Sequence, residues 1–174
     1  VYRYLQNFYS NLVYYVPTRD DEGYGISKQS IDYAASIGVK LIIVLDCGIK
    51  AVDEIAYAKT KGIDFIVCDH HVPDEVLPDA AAILNPKLKD DKYPYKDLSG
   101  CGVGFKFMQA FSKSNGIGDL YGLDSLLDDA ADQEHEDTAG LIALDGLNRF
   151  LGGGSRPDDD DEAGDVAGDQ RNTE

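Results

Sequence analysis

Two short, mostly apolar runs stand out in the first half of the chain. Val39–Leu45 and Ile63–Cys68 are rich in β-branched residues, which is typical of central parallel strands covered on both faces. Between them, apolar residues recur at helical spacing from Ala51 to Lys61, and Gly62 follows. The pattern predicts a strand–helix–strand unit with parallel strands.

The flanking sequence extends this unit. The spacing of Val1, Leu5 and Phe8 predicts a helix already under way at the first residue, so we expect the chain to have been cut from something longer. Other predicted elements are a strand over Leu12–Val16, a helix over Ser27–Ile37 with Ser27 as N-cap, a strand over Ala80–Leu84 and a helix through Val103. The predicted fold class is α/β, a mainly parallel sheet with helices on both faces.

Charge and aromatic residues divide the chain near residue 117. Of the net charge of −16, residues 1–117 carry −2 and residues 118–174 carry −14, whereas 15 of the 17 Phe and Tyr residues lie in the first part. Only the first part has the apolar side chains for a core. The predicted divisions are a domain over 1–117, an acidic helical extension over 118–151 and a disordered acidic tail over 152–174.

Cysteine usage and hydropathy indicate the compartment. Cys47, Cys68 and Cys101 have no metal-binding spacing and predict reduced thiols of a cytoplasmic protein. No apolar stretch approaches the ~20 residues of a membrane-spanning helix.

The two apolar runs both end at an acid. Asp46 follows the first and Asp69 the second, so the two carboxylates are expected together at the carboxyl edge of the sheet. Their repulsion calls for a positive partner, and the adjacent His70 and His71 offer nitrogen ligands suited to Mn²⁺ or a similar ion. For Asp46 a strand-end turn or a helix cap is an equally good interpretation.

Several motifs resemble the DHH family of phosphoesterases. Asp69-His70-His71 matches the signature that names the family, and Leu45-Asp46-Cys47-Gly48 resembles its upstream acidic motif. Four further stretches are similar to the RecJ-like exonuclease branch: Glu22-Gly23-Tyr24-Gly25, Pro78-Asp79-Ala80, Asn85-Pro86-Lys87 and Leu98 to Lys106. The resemblance covers roughly residues 1–117.

The resemblance implies two-metal hydrolysis of phosphodiesters with Mn²⁺ or Mg²⁺. By this likeness Asp46 bridges the metals, His70 binds metal, His71 contacts the phosphate, and Asp69 orients or helps to bind the metal. It also implies 5′ to 3′ degradation of single-stranded DNA in repair and recombination.

The chain departs from the family pattern in three ways. The family has an Asp-x-Asp-x-x-Gly motif with two more metal ligands, which is expected just before Val1 and is absent from this chain. The C-terminal domain that helps to bind the substrate is also missing. The fourth acid of the family is expected in an apolar segment, and the acidic stretch before Leu141 offers only Asp137 as a degraded counterpart.

Some candidates have two interpretations. Arg19, Lys87, Tyr93 and Lys96 suit binding of a DNA backbone and stacking of bases, and equally a solvated loop. Gly100, Gly102 and Gly104 begin a helix, where close packing is favoured over phosphate binding. For the function, the alternatives are a DHH phosphodiesterase acting on short oligonucleotides or cyclic dinucleotides, and a non-catalytic scaffold with the same fold.

Overall fold

The apolar runs pair into one five-stranded sheet. The computed structural model describes residues 1–17 and 25–117, and the backbone of 140–144. The strands are β1 (Leu12–Tyr15), β2 (Leu41–Leu45), β3 (Asp64–Cys68), β4 (Ala82–Leu84) and β5 (Gly140–Leu144), and the helices are α1 (Tyr2–Leu5), α2 (Lys28–Ser36), α3 (Val52–Thr60) and α4 (Gly100–Ser114).

The sheet is mainly parallel, as the sequence predicts. Its strand order is β1-β5-β2-β3-β4, with β2, β3 and β4 parallel neighbours and β5 antiparallel to both β1 and β2. Because β1 and β2 both run opposite to β5, four of the five strands in the described sheet point the same way.

Alternate residues of β2 face two separate cores. Leu41 and Ile43 pack in a cluster with side chains of α1 and α4, whereas Ile42 and Val44 pack in a cluster with those of α2 and α3. All four side chains are buried, which is why apolar and polar residues do not alternate along this strand. The prediction of helices on both faces is confirmed.

Local signals set the helix boundaries. The Ser27 hydroxyl accepts a hydrogen bond from the Ser30 N–H at 3.0 Å, and the Ser30 hydroxyl accepts one from the Ser27 N–H at 3.2 Å. The predicted N-cap is therefore a full capping box. The first helix is shorter than its apolar spacing predicts. The amide of Asn7 donates to the Tyr4 carbonyl at 3.0 Å, where the chain turns away from the helix.

Strand β5 is absent from the sequence-based prediction, which assigns this region to a helical extension. Its Gly-Leu-Ile-Ala-Leu run is five residues long and apolar, a length typical of a buried strand. The surrounding acidic residues obscured this signal. Among the described residues no helix is both long and apolar enough to span a membrane.

Candidate metal centre

The parallel pairing of β2 with β3 brings the two predicted acids together. Leu45 is in register with Cys68, so Asp46 and Asp69 follow at the same edge of the sheet. The pairing continues beyond the strands, since the Asp46 N–H donates to the Cys68 carbonyl at 2.8 Å. The predicted neighbourhood of these residues at the carboxyl edge is confirmed.

The backbone at Asp46 is unusual for a residue with a side chain. Its φ of +62° lies in the left-handed region, which only Gly, Asn and Asp enter readily. Two residues later Gly48 has a φ of +103°, and a Cβ there would lie 2.7 Å from Cγ2 of Val44. Such a strained turn persists when the surroundings enforce it, which is common at functional sites.

Three side chains converge above this turn. One donor atom each from Asp46, His70 and His71 lies within 4.8 Å of the others. Nε2 of His70 is 3.0 Å from Oδ1 of Asp46, and the centres of the His70 and His71 rings are 4.7 Å apart. A carboxylate oxygen with two imidazole nitrogens is a donor set that fits Mn²⁺ and similar divalent ions.

Asp69 lies beneath this cluster and organises it. Only 1% of Asp69 is exposed. Its Oδ2 accepts from the Ile49 N–H at 3.0 Å, and its Oδ1 accepts from the N–H groups of His70 and His71 at 2.7 and 3.2 Å. Both carboxylate oxygens are therefore bound by the chain itself, and Asp69 is not among the three residues whose donor atoms converge.

The hydrogen bonds keep Asp69 ionised. Burial alone raises the pKa of Asp69, but the bonds from Ile49, from the His71 ring and from the N–H groups of His71 and His70 outweigh it. The pKa of Asp69 is therefore below its ordinary value. Its negative charge is stabilised by donors in fixed positions.

An ionised Asp69 determines the tautomer of His71. Nδ1 of His71 is 2.6 Å from Oδ1 of Asp69. Because an ionised carboxylate only accepts, Nδ1 must carry the hydrogen, and the neutral ring carries its lone pair on Nε2. Such a carboxylate–imidazole pair is a common second layer around metal sites.

Gly100 and Asn85 both support the site. For Gly100 the sequence favours close packing without indicating the partner, and for Asn85 it indicates no structural role. Gly100 begins α4, and a Cβ there would overlap Oδ1 of Asp46 and lie 2.5 Å from its Cγ. Asn85, which follows β4, is buried and its amide donates to the His71 carbonyl at 2.9 Å. The available signals were a glycine at a helix start and an Asn-Pro pair directly after a strand.

The predicted DNA-binding residues are more dispersed. The Lys87 N–H donates to the side chain of Asn85, whose amide also donates to the His71 carbonyl. Tyr93 has Nζ of Lys106 5.8 Å from its ring centre, and Nζ of Lys96 donates to the Asp91 carbonyl at 2.7 Å. Arg19 and Asp137 lie outside the described residues.

The buried thiols beneath the site predict a loss of stability in alkali. Burial and the nearby carboxylates raise the pKa of Cys47 to about 12, and burial with Asp69 raises that of Cys68 to about 12, from an ordinary value of 9.0. Since the pKa is raised in the folded state, this stability is complete below pH 9 and is lost as the pH rises towards 12.

We expect the free energy of unfolding to fall by about 3 kcal/mol between pH 7.5 and pH 10 from these two thiols, because each loses about 1.4 kcal/mol per pH unit and only above its ordinary pKa of 9.0. Urea denaturation at both pH values measures it. The control is the double variant Cys47→Ala and Cys68→Ala, in which this part of the loss should disappear. An equal loss in the double variant would show that other groups cause it.

Comparison with known proteins shows the family of this chain. The family described as "DHH family, N-terminal domain" matches residues 1–141. The chain belongs to the DHH family. Within it, the chain is 39% identical over 150 residues to the single-stranded-DNA-specific exonuclease RecJ of Escherichia coli, covering 82% of this chain and 26% of that protein.

Other RecJ proteins show the same likeness. The Bacillus subtilis RecJ is 42% identical over 147 residues, covering 84% of this chain and 17% of that protein, and the Salmonella typhimurium RecJ is 48% identical over 100 residues, covering 58% and 17%. A crystal structure of exonuclease RecJ bound to manganese has a TM-score of 0.50 at 28% identity, covering 57% of this chain and 25% of that one. The chain thus spans about a quarter or less of the length of these relatives.

Proposed function

We propose that this chain carries part of the metal centre of a single-stranded-DNA exonuclease that hydrolyses phosphodiester bonds from the 5′ end in DNA repair and recombination. The observation that carries the proposal is the convergence of Asp46, His70 and His71 at the carboxyl edge of parallel strands. The similarity to RecJ exonucleases, one of them crystallised with manganese, supports the choice of substrate and ion.

The residues of the site have separate tasks in this proposal. Oδ1 of Asp46 and Nε2 of His70 lie 3.0 Å apart and together would hold a divalent ion, Mn²⁺ or Mg²⁺. When bound, such an ion would polarise a phosphate and lower the pKa of an attacking water. Nε2 of His71 would add its lone pair as a third ligand to the ion or, when it also carries a hydrogen, donate to the phosphate, and Asp69 would hold the Nδ1 side of that ring from below.

The remaining contacts with DNA come from the predicted basic and aromatic residues. Arg19 and Lys87 bind phosphates in this proposal, and Tyr93 stacks on a base. Lys96 joins them, although its bond to Asp91 offsets part of its charge. Asp137 is proposed as a further acid of the site. It stands three residues before Gly140, which pairs with Leu45 beside Asp46.

The cytoplasm is the proposed compartment. Cys47 and Cys68 are buried free thiols, and Cys101 is an exposed one. Reduced cysteines of this kind are typical of proteins in a reducing compartment.

The test is Mn²⁺ titration by calorimetry, with degradation of 5′-labelled single-stranded DNA assayed in the same samples. We expect wild-type chain to bind Mn²⁺. Both His70→Ala and Asp46→Asn should weaken binding about tenfold or more, because the first removes a nitrogen ligand and the second removes the negative charge of the carboxylate. Asp64→Asn is the matched control, since Asp64 begins β3 and lies at the opposite edge of the sheet.

Different results bear on different parts of the proposal. Unchanged Mn²⁺ affinity in folded His70→Ala would reject the metal site. Metal binding without any DNA hydrolysis would reject exonuclease activity for this chain while the site stands. Faster hydrolysis of dinucleotides than of long strands would favour an oligonucleotide phosphodiesterase over a RecJ-like exonuclease.

A further inference from the structure

Asn85 has a buried side-chain amide beside the site. It is not one of the three residues, Asp46, His70 and His71, whose donor atoms converge. The residue directly follows strand β4 and is only 2% exposed. Nδ2 donates to the His71 carbonyl at 2.9 Å, and Oδ1 accepts from the Lys87 N–H at 2.9 Å. Both functional groups of the amide are therefore used inside the protein.

These bonds join two segments that the sheet alone would leave separate. The parallel pairing of β3 with β4 ends with the Asp69 N–H donating to the Leu84 carbonyl at 3.0 Å. Beyond this point the chain diverges into residues 70–71 on one side and 85–87 on the other. The Asn85 amide bridges the divergence.

We infer that Asn85 is a positioning residue that fixes the main chain at His71 and thereby sets the place of the His71 ring in the site. Asp69 holds this ring through Nδ1, and Asn85 holds its backbone through the carbonyl. His71 is thus held at two points, its ring and its backbone, by two buried side chains. The consequence for metal and phosphate binding rests on the proposed function; the positioning of the ring does not.

Only an amide satisfies both contacts. The His71 carbonyl needs a donor and the Lys87 N–H needs an acceptor, and a side-chain amide supplies both on one planar group. An aspartate of the same shape has two acceptor oxygens, so it would place a negative charge against the His71 carbonyl. A serine is too short to reach both partners. The carboxylate of the aspartate would repel this half-buried carbonyl, so the segment that carries His71 would move away from it.

A displaced His71 would change the site in two measurable ways. The Nδ1 bond to Asp69 would lengthen, so the ring would no longer be restricted to the Nδ1–H tautomer. The His71 donor atom would also leave the 4.8 Å cluster with Asp46 and His70. Residues that orient metal-binding histidines in this way typically change metal affinity by 10–100-fold when they are replaced.

The experiment compares Asn85→Asp with Asn115→Asp in the full chain. Asn115 also donates its amide to a backbone carbonyl, that of Phe111 at 2.8 Å, but at the far end of α4, about 22 Å of helix away from Gly100. The readouts are the ¹⁵N shifts of the His71 ring, assigned by their loss in His71→Gln, and the affinity for Mn²⁺ as the probe ion.

We expect wild-type chain and Asn115→Asp to show the Nδ1–H tautomer and equal Mn²⁺ affinity. In Asn85→Asp we expect a mixture of tautomers and about tenfold weaker Mn²⁺ binding. If Asn85→Asp does not fold, Asn85→Ser withdraws the amide without adding charge and gives the same comparison.

A folded Asn85 variant with the wild-type tautomer overturns the inference. A changed tautomer with wild-type Mn²⁺ affinity supports the positioning of the ring and contradicts a role for that ring in metal binding. Equal changes in the Asn85 and Asn115 variants also overturn it, because they would reflect general destabilisation. If wild-type chain binds no Mn²⁺, the proposed function fails, and the tautomer comparison alone still decides the role of Asn85.

Discussion

Replacing Asp69 with alanine is expected to lower the free energy of unfolding by about 3–5 kcal/mol, because a buried charge with several donors is removed and the donors remain. The N–H groups of Ile49, His70 and His71 would each lose their carboxylate acceptor. Urea denaturation near pH 7 measures the change. We expect Mn²⁺ binding to be lost as well, since the loop that carries both histidines is no longer held.

The matched control is Asp64→Ala. Asp64 lies at the other end of the same strand and is only half-buried, so its replacement should change stability by no more than about 0.5 kcal/mol. If both variants lose the same stability, the network around Asp69 does not stabilise the fold.

The pH dependence gives a second check on Asp69. Its pKa is depressed in the folded state, so its contribution is complete above the ordinary value of 3.8 and is lost as the pH falls through the folded-state pKa. The stability difference between wild-type chain and Asp69→Ala should therefore be constant from about pH 5 to 8 and narrow below pH 4. A difference that grows in acid would have the wrong sign for this mechanism.

The carboxyl edge of the sheet was predictable because it depends on short-range signals. Each of the two strands is marked by its own apolar run, and parallel pairing requires their ends to meet. Once the strands are assigned, Asp46 and the Asp69-His70-His71 triplet must be neighbours. Their positions follow from the sequence without knowledge of any other part of the chain.

The supporting residues were not predictable in this way. The contact of Gly100 with Asp46 joins positions 54 residues apart through the packing of a helix, and no local pattern encodes it. Asn85 is marked in the sequence only by its place in the Asn85-Pro86-Lys87 motif, and its contact with the His71 carbonyl depends on how β4 ends beside β3. Strand β5 was missed because its short apolar run lies among acids and its partners are distant in sequence.

Gly100→Ala tests how closely α4 packs against the site. In an ordinary helix, alanine is more stable than glycine by about 1 kcal/mol. Here the sign should reverse, because the new Cβ would overlap Oδ1 of Asp46 and lie 2.9 Å from its Cβ. Either the helix or the Asp46 side chain has to move.

We expect Gly100→Ala to lose about 1–3 kcal/mol of stability, the usual cost of overpacking, and to bind Mn²⁺ about tenfold more weakly or worse as Asp46 separates from His70. Gly104→Ala is the control in the same helix, where the nearest atom to a new Cβ is Cγ2 of Val1 at 3.2 Å, the end of a side chain that can yield. It should stay within about 1 kcal/mol of wild type with unchanged Mn²⁺ affinity. Urea denaturation measures the stability of both variants, and calorimetry measures their Mn²⁺ affinity. If Gly100→Ala matches Gly104→Ala in both quantities, α4 does not press on Asp46. The turn at Asp46 must then be held by β2 and β3 alone.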